Sequence, residues 1–237
     1  VVDLVDRLIA GWNSGDAVTT ARLYAPSADY RAAIGSGEWN RDYHGRTAIV
    51  GGITVMTRGE LAMSRTGPVL EDGRFVAFPF AWKSGSDTGD AIALLKVVDG
   101  SIALHYVFAT DSGIPDVQAS SPPSEVSSVL DAELAALNRW DGEANAAYYT
   151  PNAEWRIMVS AGVDPTELYR TRSQIAATTE DRALFFFKVT RTGWMLQQGD
   201  LVVYSWYMRA SVGQANGFAV FCLDPDRQIV NQWVVGE

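Results

Sequence analysis

The chain is written twice, and that duplication limits what it can fold into more than any other feature. Asn13, Gly15 and Asp16, then Tyr24, Ala25, Pro26 and the run Ala28-Asp29-Tyr30-Arg31, return as Asn138, Asp141, Tyr149, Thr150, Pro151 and Ala153-Glu154-Trp155-Arg156. Further on, Tyr43, Arg46 and Ile49 match Tyr169, Arg172 and Ile175, and Phe78-Pro79-Phe80-Ala81-Trp82-Lys83 matches Tyr204-Ser205-Trp206-Tyr207-Met208-Arg209. Near the end of each copy, Ile102, His105 and Tyr106 correspond to Ile229, Gln232 and Trp233. The spacing, about 125 residues, is far longer than the 20–50 residues of a solenoid unit, so each copy is a whole domain. Residues 1–110 form the first, 126–237 the second, and the Ser-, Pro-, Asp- and Gly-rich stretch 111–125 reads as an exposed linker.

The 237 residues give each copy enough chain for its own core. The 47% hydrophobic residues are interrupted by charges, and no run of about 18 apolar residues could span a bilayer. The opening Val1-Val2-Asp3 lacks a basic-then-apolar leader pattern, so the expectation is a soluble, cytoplasmic protein with no membrane partner. A net charge of -9 argues against a nucleic-acid partner, whose phosphates need clustered Lys and Arg. One cysteine, Cys222, and two histidines, His44 and His105, leave too few ligands for a Cys/His zinc site. Cys222 lies in the apolar run 218–223 and reads as a buried thiol.

Periodicity supplies the elements. Val1 to Ala17 is an amphipathic helix with Leu4, Leu8 and Trp12 on one stripe, ended at Asn13-Ser14-Gly15-Asp16. Asp16 caps a second short helix reaching Tyr24, and Pro26 stops it. Ala28 to Ile34 alternates as a strand, a Gly-rich loop follows, and Thr47 to Met56 is a third helix. Strands at 62–70, 74–83, 91–98 and 101–109 follow, turning at Asp72-Gly73 and Asp99-Gly100. The second copy repeats the order from the helix 126–138 to a final strand 229–235. Helices first and a strand meander afterwards predict an α+β domain with a curved, mostly antiparallel sheet wrapped over about three helices.

Trp12-Asn13-Ser14-Gly15-Asp16, Tyr24-Ala25-Pro26-x-Ala28-Asp29-Tyr30, His44-Gly45-Arg46-x-x-Ile49 and Asp99-Gly100-x-Ile102 resemble the SnoaL-like branch of the nuclear-transport-factor-2-like superfamily, with ketosteroid isomerase and polyketide cyclases among its members. The resemblance covers nearly the whole chain, in two copies. It implies a cone-shaped fold with an apolar pocket between sheet and helices, and it commonly implies dimers packed through the outer sheet face. It also implies where catalytic acids would stand. The isomerase's base matches Ala32 and Ile157, its second acid falls near Ala93 or Leu94 and near Val220 or Phe221, and the cyclase Asp matches Val107 and Val234. All are apolar here, so neither copy can run the family's Asp-based chemistry from its usual place.

Alternation points Tyr30, Ala32 and Ile34, and Trp155, Ile157 and Val159, toward the pocket. The inward set is mostly aromatic: Trp12, Tyr30, Phe78, Phe80 and Trp82 in one copy, and Tyr149, Trp155, Tyr204, Trp206 and Met208 in the other. It is either plain core or a wall for a flat ligand. His105, pointing inward, is a base or acid near neutrality or a merely bonded buried histidine, and its twin Gln232 cannot transfer a proton the same way. Glu133 stands where Leu8 stands in the first copy, the place of the isomerase's oxyanion-hole Tyr; it is either buried with a raised pKa or solvated. His44 reads as a surface-loop residue and Asp90 as a solvated hairpin residue. The outward set Phe75, Ala77, Pro79 and Ala81, with Leu201, Val203, Ser205 and Tyr207, is small or apolar. That predicts a covered face and an intramolecular pseudo-dimer within a monomeric chain.

Two functions fit. One is a cofactor-independent cyclase, isomerase or dehydratase acting on a hydrophobic cyclic or polyketide-like molecule, with His105, Tyr30 and Glu133 as proton carriers. The aromatic residues and Gln232 would then bind the ligand. The other is a non-catalytic small-molecule-binding or scaffolding protein that has lost the family's acids.

Overall fold

The computed structural model describes residues 1–34, 39–58, 60–109, 124–159 and 167–236. The chain divides into two compact units, Val1–Ala119 and Ser120–Glu237. Of the stretch read as a linker, only Ser124 and Glu125 are described, and they open a helix. Gly35-Ser36-Gly37, the start of the Gly-rich loop expected after Ile34, also lies outside the described residues.

In the first unit α1 (Val2–Ser14) buries Leu4, Val5, Leu8 and Trp12, the stripe its spacing requires. It ends because Gly15 turns left-handed, φ 68°, and returns its N–H to the Trp12 carbonyl. Asp16 then caps α2 (Ala17–Ala21) by accepting the Thr19 N–H at 3.0 Å. The chain continues through β1 (Tyr24–Ile34), β2 (Trp39–His44), α3 (Gly45–Thr57), β3 (Ala62–Arg65), β4 (Leu70–Asp72), β5 (Phe75–Ser84), β6 (Asp87–Val98) and β7 (Ser101–Ala109). The sheet runs β2-β1-β7-β6-β5-β3, with β4 also on β5. Its pairs are antiparallel except β1 with β7.

The second unit repeats this order with α4 (Ser124–Arg139), α5 (Gly142–Ala146), β8 (Tyr149–Val159), β9 (Glu167–Tyr169), α6 (Arg172–Asp181), a 3-10 turn at Arg182–Phe185, then β10 (Lys188–Gln198), β11 (Leu201–Ala210), β12 (Gly213–Leu223) and β13 (Ile229–Gly236). Its sheet order is β10-β11-β12-β13-β8-β9, antiparallel except β13 with β8. Both units are α+β, with one sheet face packed on helices. In the first, Tyr30, Ala32, Val76, Phe78, Phe80, Ala93 and Leu95 of the sheet join Leu8, Trp12, Ile49 and Ile53 of the helices in one core. The opposite parity, Phe75, Ala77 and Pro79 with Leu201, Val203 and Ser205, is also buried.

The residues repeated between the copies turn out to be fasteners. Asn13 clasps the backbone of Met63 on both sides, donating to its carbonyl at 2.8 Å and accepting its N–H at 2.7 Å. Asn138 does the same to Val189, at 2.7 Å each way. The amide thereby ties the helix end to the last strand of its sheet. Arg46 and Arg172, in the first turns of α3 and α6, both donate to the carbonyl of the tyrosine that opens the first long strand, Tyr24 or Tyr149.

Three local expectations need correction. The loop expected after Ile34 contains β2, because Arg41 and Tyr43 alternate against Ala32 and Tyr30 and complete the pairing of β1. His44 therefore ends a strand: its Nδ1 meets Asp29 at 2.8 Å and its Nε2 meets Asp42 at 3.1 Å. The hydrogen bond to Asp29, helped by the charge of Asp42, raises its pKa. Asp90 lies in the β5–β6 hairpin as expected, opposite Ala81, but is half-buried and not fully solvated.

Candidate functional site: two matched aromatic cavities

Each unit holds one cavity between its sheet and its helices. The first, about 360 Å³, is walled by Trp12, Tyr30, Ala32, Phe80, Trp82, His105 and Val107, with Met56 and Met63. The rings of Trp12 and Tyr30 are 5.5 Å apart, and Tyr30 meets His105 edge to face at 4.9 Å. The second, about 350 Å³, is walled by Trp155, Ile157, Tyr204, Trp206, Met208, Gln232 and Val234. Ala32 and Val107 in the first cavity and Ile157 and Val234 in the second therefore face the cavities as apolar surface.

Two expected wall residues stand behind the wall. Phe78 and Tyr149 are fully buried and line neither cavity, Phe78 because it is packed into the core and Tyr149 because its hydroxyl is committed to a polar network. The side chains of Ile34 and Val159 lie outside the described part of the structure.

Behind the first cavity, the Tyr24 hydroxyl and His105 Nδ1 are 2.7 Å apart, and His105 Nε2 has no partner. Burial lowers the His105 pKa to about 3, so the ring is neutral at ordinary pH and a poor base, which favours the merely bonded buried histidine over one titrating near neutrality. Burial likewise raises the pKa of Tyr30, which keeps its proton.

Behind the second cavity the same geometry carries different groups. Tyr149, the twin of Tyr24, has its hydroxyl 2.9 Å from Glu133 Oε1 and hydrogen-bonded to Gln232 Oε1. Asn145 donates to the same Glu133 oxygen at 2.9 Å and is itself held by the Thr179 hydroxyl at 3.0 Å. Glu133 is 1% exposed, so the solvated alternative is excluded. Burial raises its pKa to about 7, opposed by the hydrogen bonds from Asn145 and Tyr149. It is absent from the cavity wall, and the Tyr149 hydroxyl joins it to the wall residue Gln232.

Charged residues that the sequence reading missed also line the cavities. Arg41 lines the first, and Glu167, at the same register, lines the second: Arg41 lies opposite Ala32 and Glu167 opposite Ile157. Arg182 also lines the second cavity, paired with Glu167 at 2.8 Å and lying over the rings of Trp155 at 5.3 Å and Phe187 at 4.9 Å. Strand alternation would have found Arg41 once residues 39–44 were taken as a strand. Three N–H donors among the second cavity's lining residues, Trp155 Nε1, Trp206 Nε1 and Arg182 Nε, are buried without partners. Among the described residues, no group of three or more His, Cys, Asp and Glu is placed to hold a metal ion. No helix among them is long and apolar enough to cross a membrane. Cys222 is partly buried, and burial pushes its thiol up to about 11.

No protein-family model matches the sequence, and no curated relative is found. Solved structures are similar to about half of the chain. An NTF2-like protein of unknown function from Cytophaga hutchinsonii is 15% identical and covers 45% of this chain and 87% of its own, with a TM-score of 0.39. A hypothetical protein with a ketosteroid isomerase-like fold from Catenulispora acidiphila, in complex with trimethylamine, is 14% identical, covering 47% and 88% with a TM-score of 0.41. A protein of unknown function with a cystatin-like fold from Xanthomonas campestris is 19% identical, covering 46% and 88% with a TM-score of 0.40.

Proposed function

We propose that each half of this chain binds a small, flat, hydrophobic molecule, and that the two halves take different ones. The observation that supports this best is the pair of cavities at matched positions, both walled by aromatic faces and both backed by a tyrosine, whose polar partners differ. Tyr24 is paired with His105, and Tyr149 with Glu133 and Gln232. Aromatic faces stack on ring systems while their N–H and O–H groups supply polar handles, and cavities near 350 Å³ fall within the range of small-molecule sites. Unpartnered buried donors in residues of the second cavity favour a ligand carrying acceptor oxygens, which would satisfy groups that are costly to leave unmade.

A second reading, cofactor-independent isomerisation, cyclisation or dehydration, is favoured by one observation: Glu133 is a buried carboxyl with a pKa near 7, suited to hold or release a proton at ordinary pH. His105 is not the proton carrier in that reading, since its ring stays neutral. Titration with bicyclic and tricyclic aromatic ketones, followed by tryptophan fluorescence, tests the binding reading. Saturable quenching that Trp155→Phe and Trp206→Phe weaken supports it, and no saturation with any member of the panel refutes it. Substrate consumption lost in Glu133→Gln but kept in His105→Gln would favour the catalytic reading.

A further inference from the structure

The Tyr149 hydroxyl lies between two oxygens, Glu133 Oε1 and Gln232 Oε1, and it has one proton to give. Both contacts can be hydrogen bonds only if one neighbour donates in return. With a proton on Glu133, the chain closes in one direction: the carboxylic acid donates to Tyr149, Tyr149 donates to the Gln232 carbonyl, and the Gln232 NH₂ is left on the cavity side. With Glu133 ionised, the Tyr149 hydroxyl donates its one hydrogen bond to the carboxylate. Two oxygens would then face each other without a hydrogen between them, a contact relieved when the Gln232 amide turns over and donates its N–H to Tyr149. The carbonyl of Gln232 is then left for the cavity that this side chain lines.

We propose that Gln232 is the specificity-determining residue of the second cavity and that the protonation state of Glu133 sets which end of its amide the ligand meets. The proposal rests on the binding reading above. The protonated form selects ligands with an acceptor such as a ketone oxygen, and the ionised form selects ligands with an N–H or O–H donor. Burial places the change of state near neutral pH, where Glu133 titrates at about 7. The groups facing it are Asn145 from α5 and Tyr149 from β8, with Tyr204 from β11 farther off beside the Arg191–Asp131 ion pair. Asn145 cannot reverse its own amide freely, because Thr179 and the Glu133 backbone carbonyl fix both ends. The first unit has Leu8 and His105 at the corresponding places and lacks this response.

The test uses the full chain and two neutral bicyclic probes of similar size, 1-indanone as acceptor and indole as donor, titrated calorimetrically on either side of pH 7. Gln232→Leu measured in parallel gives the first cavity's share. In the wild type, the affinity ratio of indanone to indole at the second site should fall by about fivefold to tenfold as pH rises, the worth of one hydrogen bond exchanged for an unmet group. Glu133→Leu, which copies the residue of the first unit, and Tyr149→Phe, which cuts the chain while leaving the acid, should each make the ratio independent of pH. A pH-independent ratio in the wild type, or a shift that persists in both variants, overturns the proposal while leaving the binding reading intact. If neither probe binds the second site at any pH, the binding reading falls and the proposal with it.

Discussion

Replacing Glu133 by Gln should change how the stability of the second unit depends on pH, by an amount the burial of the carboxyl sets. Its pKa rises from 4.5 to about 7 on folding. Below 4.5 both folded and unfolded chains carry the proton, and the group's contribution is fully present. As pH rises, the unfolded chain ionises first and the folded one cannot follow, so stability is lost up to about 7 and then levels off. A difference of about 2.5 between the two pKa values corresponds to about 3 kcal/mol. Glutamine has no proton to lose, and its free energy of unfolding relative to the wild type should therefore improve by about 3 kcal/mol between acid and alkaline conditions. Urea titrations followed by tryptophan fluorescence at about pH 4.5 and about pH 8 measure this, fitted with two transitions because the chain has two units. The transition that the substitution moves belongs to the second unit, and the other is an internal reference. Parallel shifts at both pH values would show that burial does not raise the pKa of Glu133 in the folded protein.

His105 should give the first unit the opposite slope. Its pKa falls from 6.5 to about 3, so stability is full above 6.5 and drains away as pH falls toward 3, and His105→Gln should flatten that loss in acid titrations. Asn138→Ala should cost about 2 kcal/mol, since it strands a half-buried carbonyl and N–H of a strand backbone, and Asn13→Ala less, because water reaches the groups it frees; equilibrium unfolding would show it, and an unchanged midpoint for Asn138→Ala would refute the clasp. Gly217→Ala should destabilise the second unit by more than about 2 kcal/mol, because a Cβ there would stand 1.8 Å from the Val235 carbonyl oxygen. Asp29→Asn should lower the pKa of His44, read from its ring proton shifts, because the hydrogen bond to Asp29 is the main cause of its elevation.

Most of the scaffold was legible because it is local and repeated. The Leu4, Leu8, Trp12 stripe, the Asp16 cap and the alternation of the long strands announce themselves within a few residues, and the second copy checks each against the first. The short strand β2 was not legible, because Trp39–His44 follows a Gly-rich stretch and its pairing with β1 is a tertiary fact. The same oversight hid Arg41 and Glu167. The burial of Glu133 was open because it sits beside the apolar residues of α4, and what makes a buried carboxyl tolerable there, Asn145 and Tyr149, comes from other elements. His105 was placed on the cavity face with two readings open, and its burial favours the merely bonded histidine: alternation tells where a side chain points and nothing about how dry that place is.

The duplication also has a consequence for stoichiometry. Because both cavities are encoded in one polypeptide, every molecule carries one of each, in a ratio that neither expression level nor subunit exchange can alter. A single-domain protein assembling with itself would present two identical sites, and a mutation in its gene would change both. Here a substitution on one helix, Glu133 where the first copy has Leu8, changes what stands behind one cavity and leaves the other as it was.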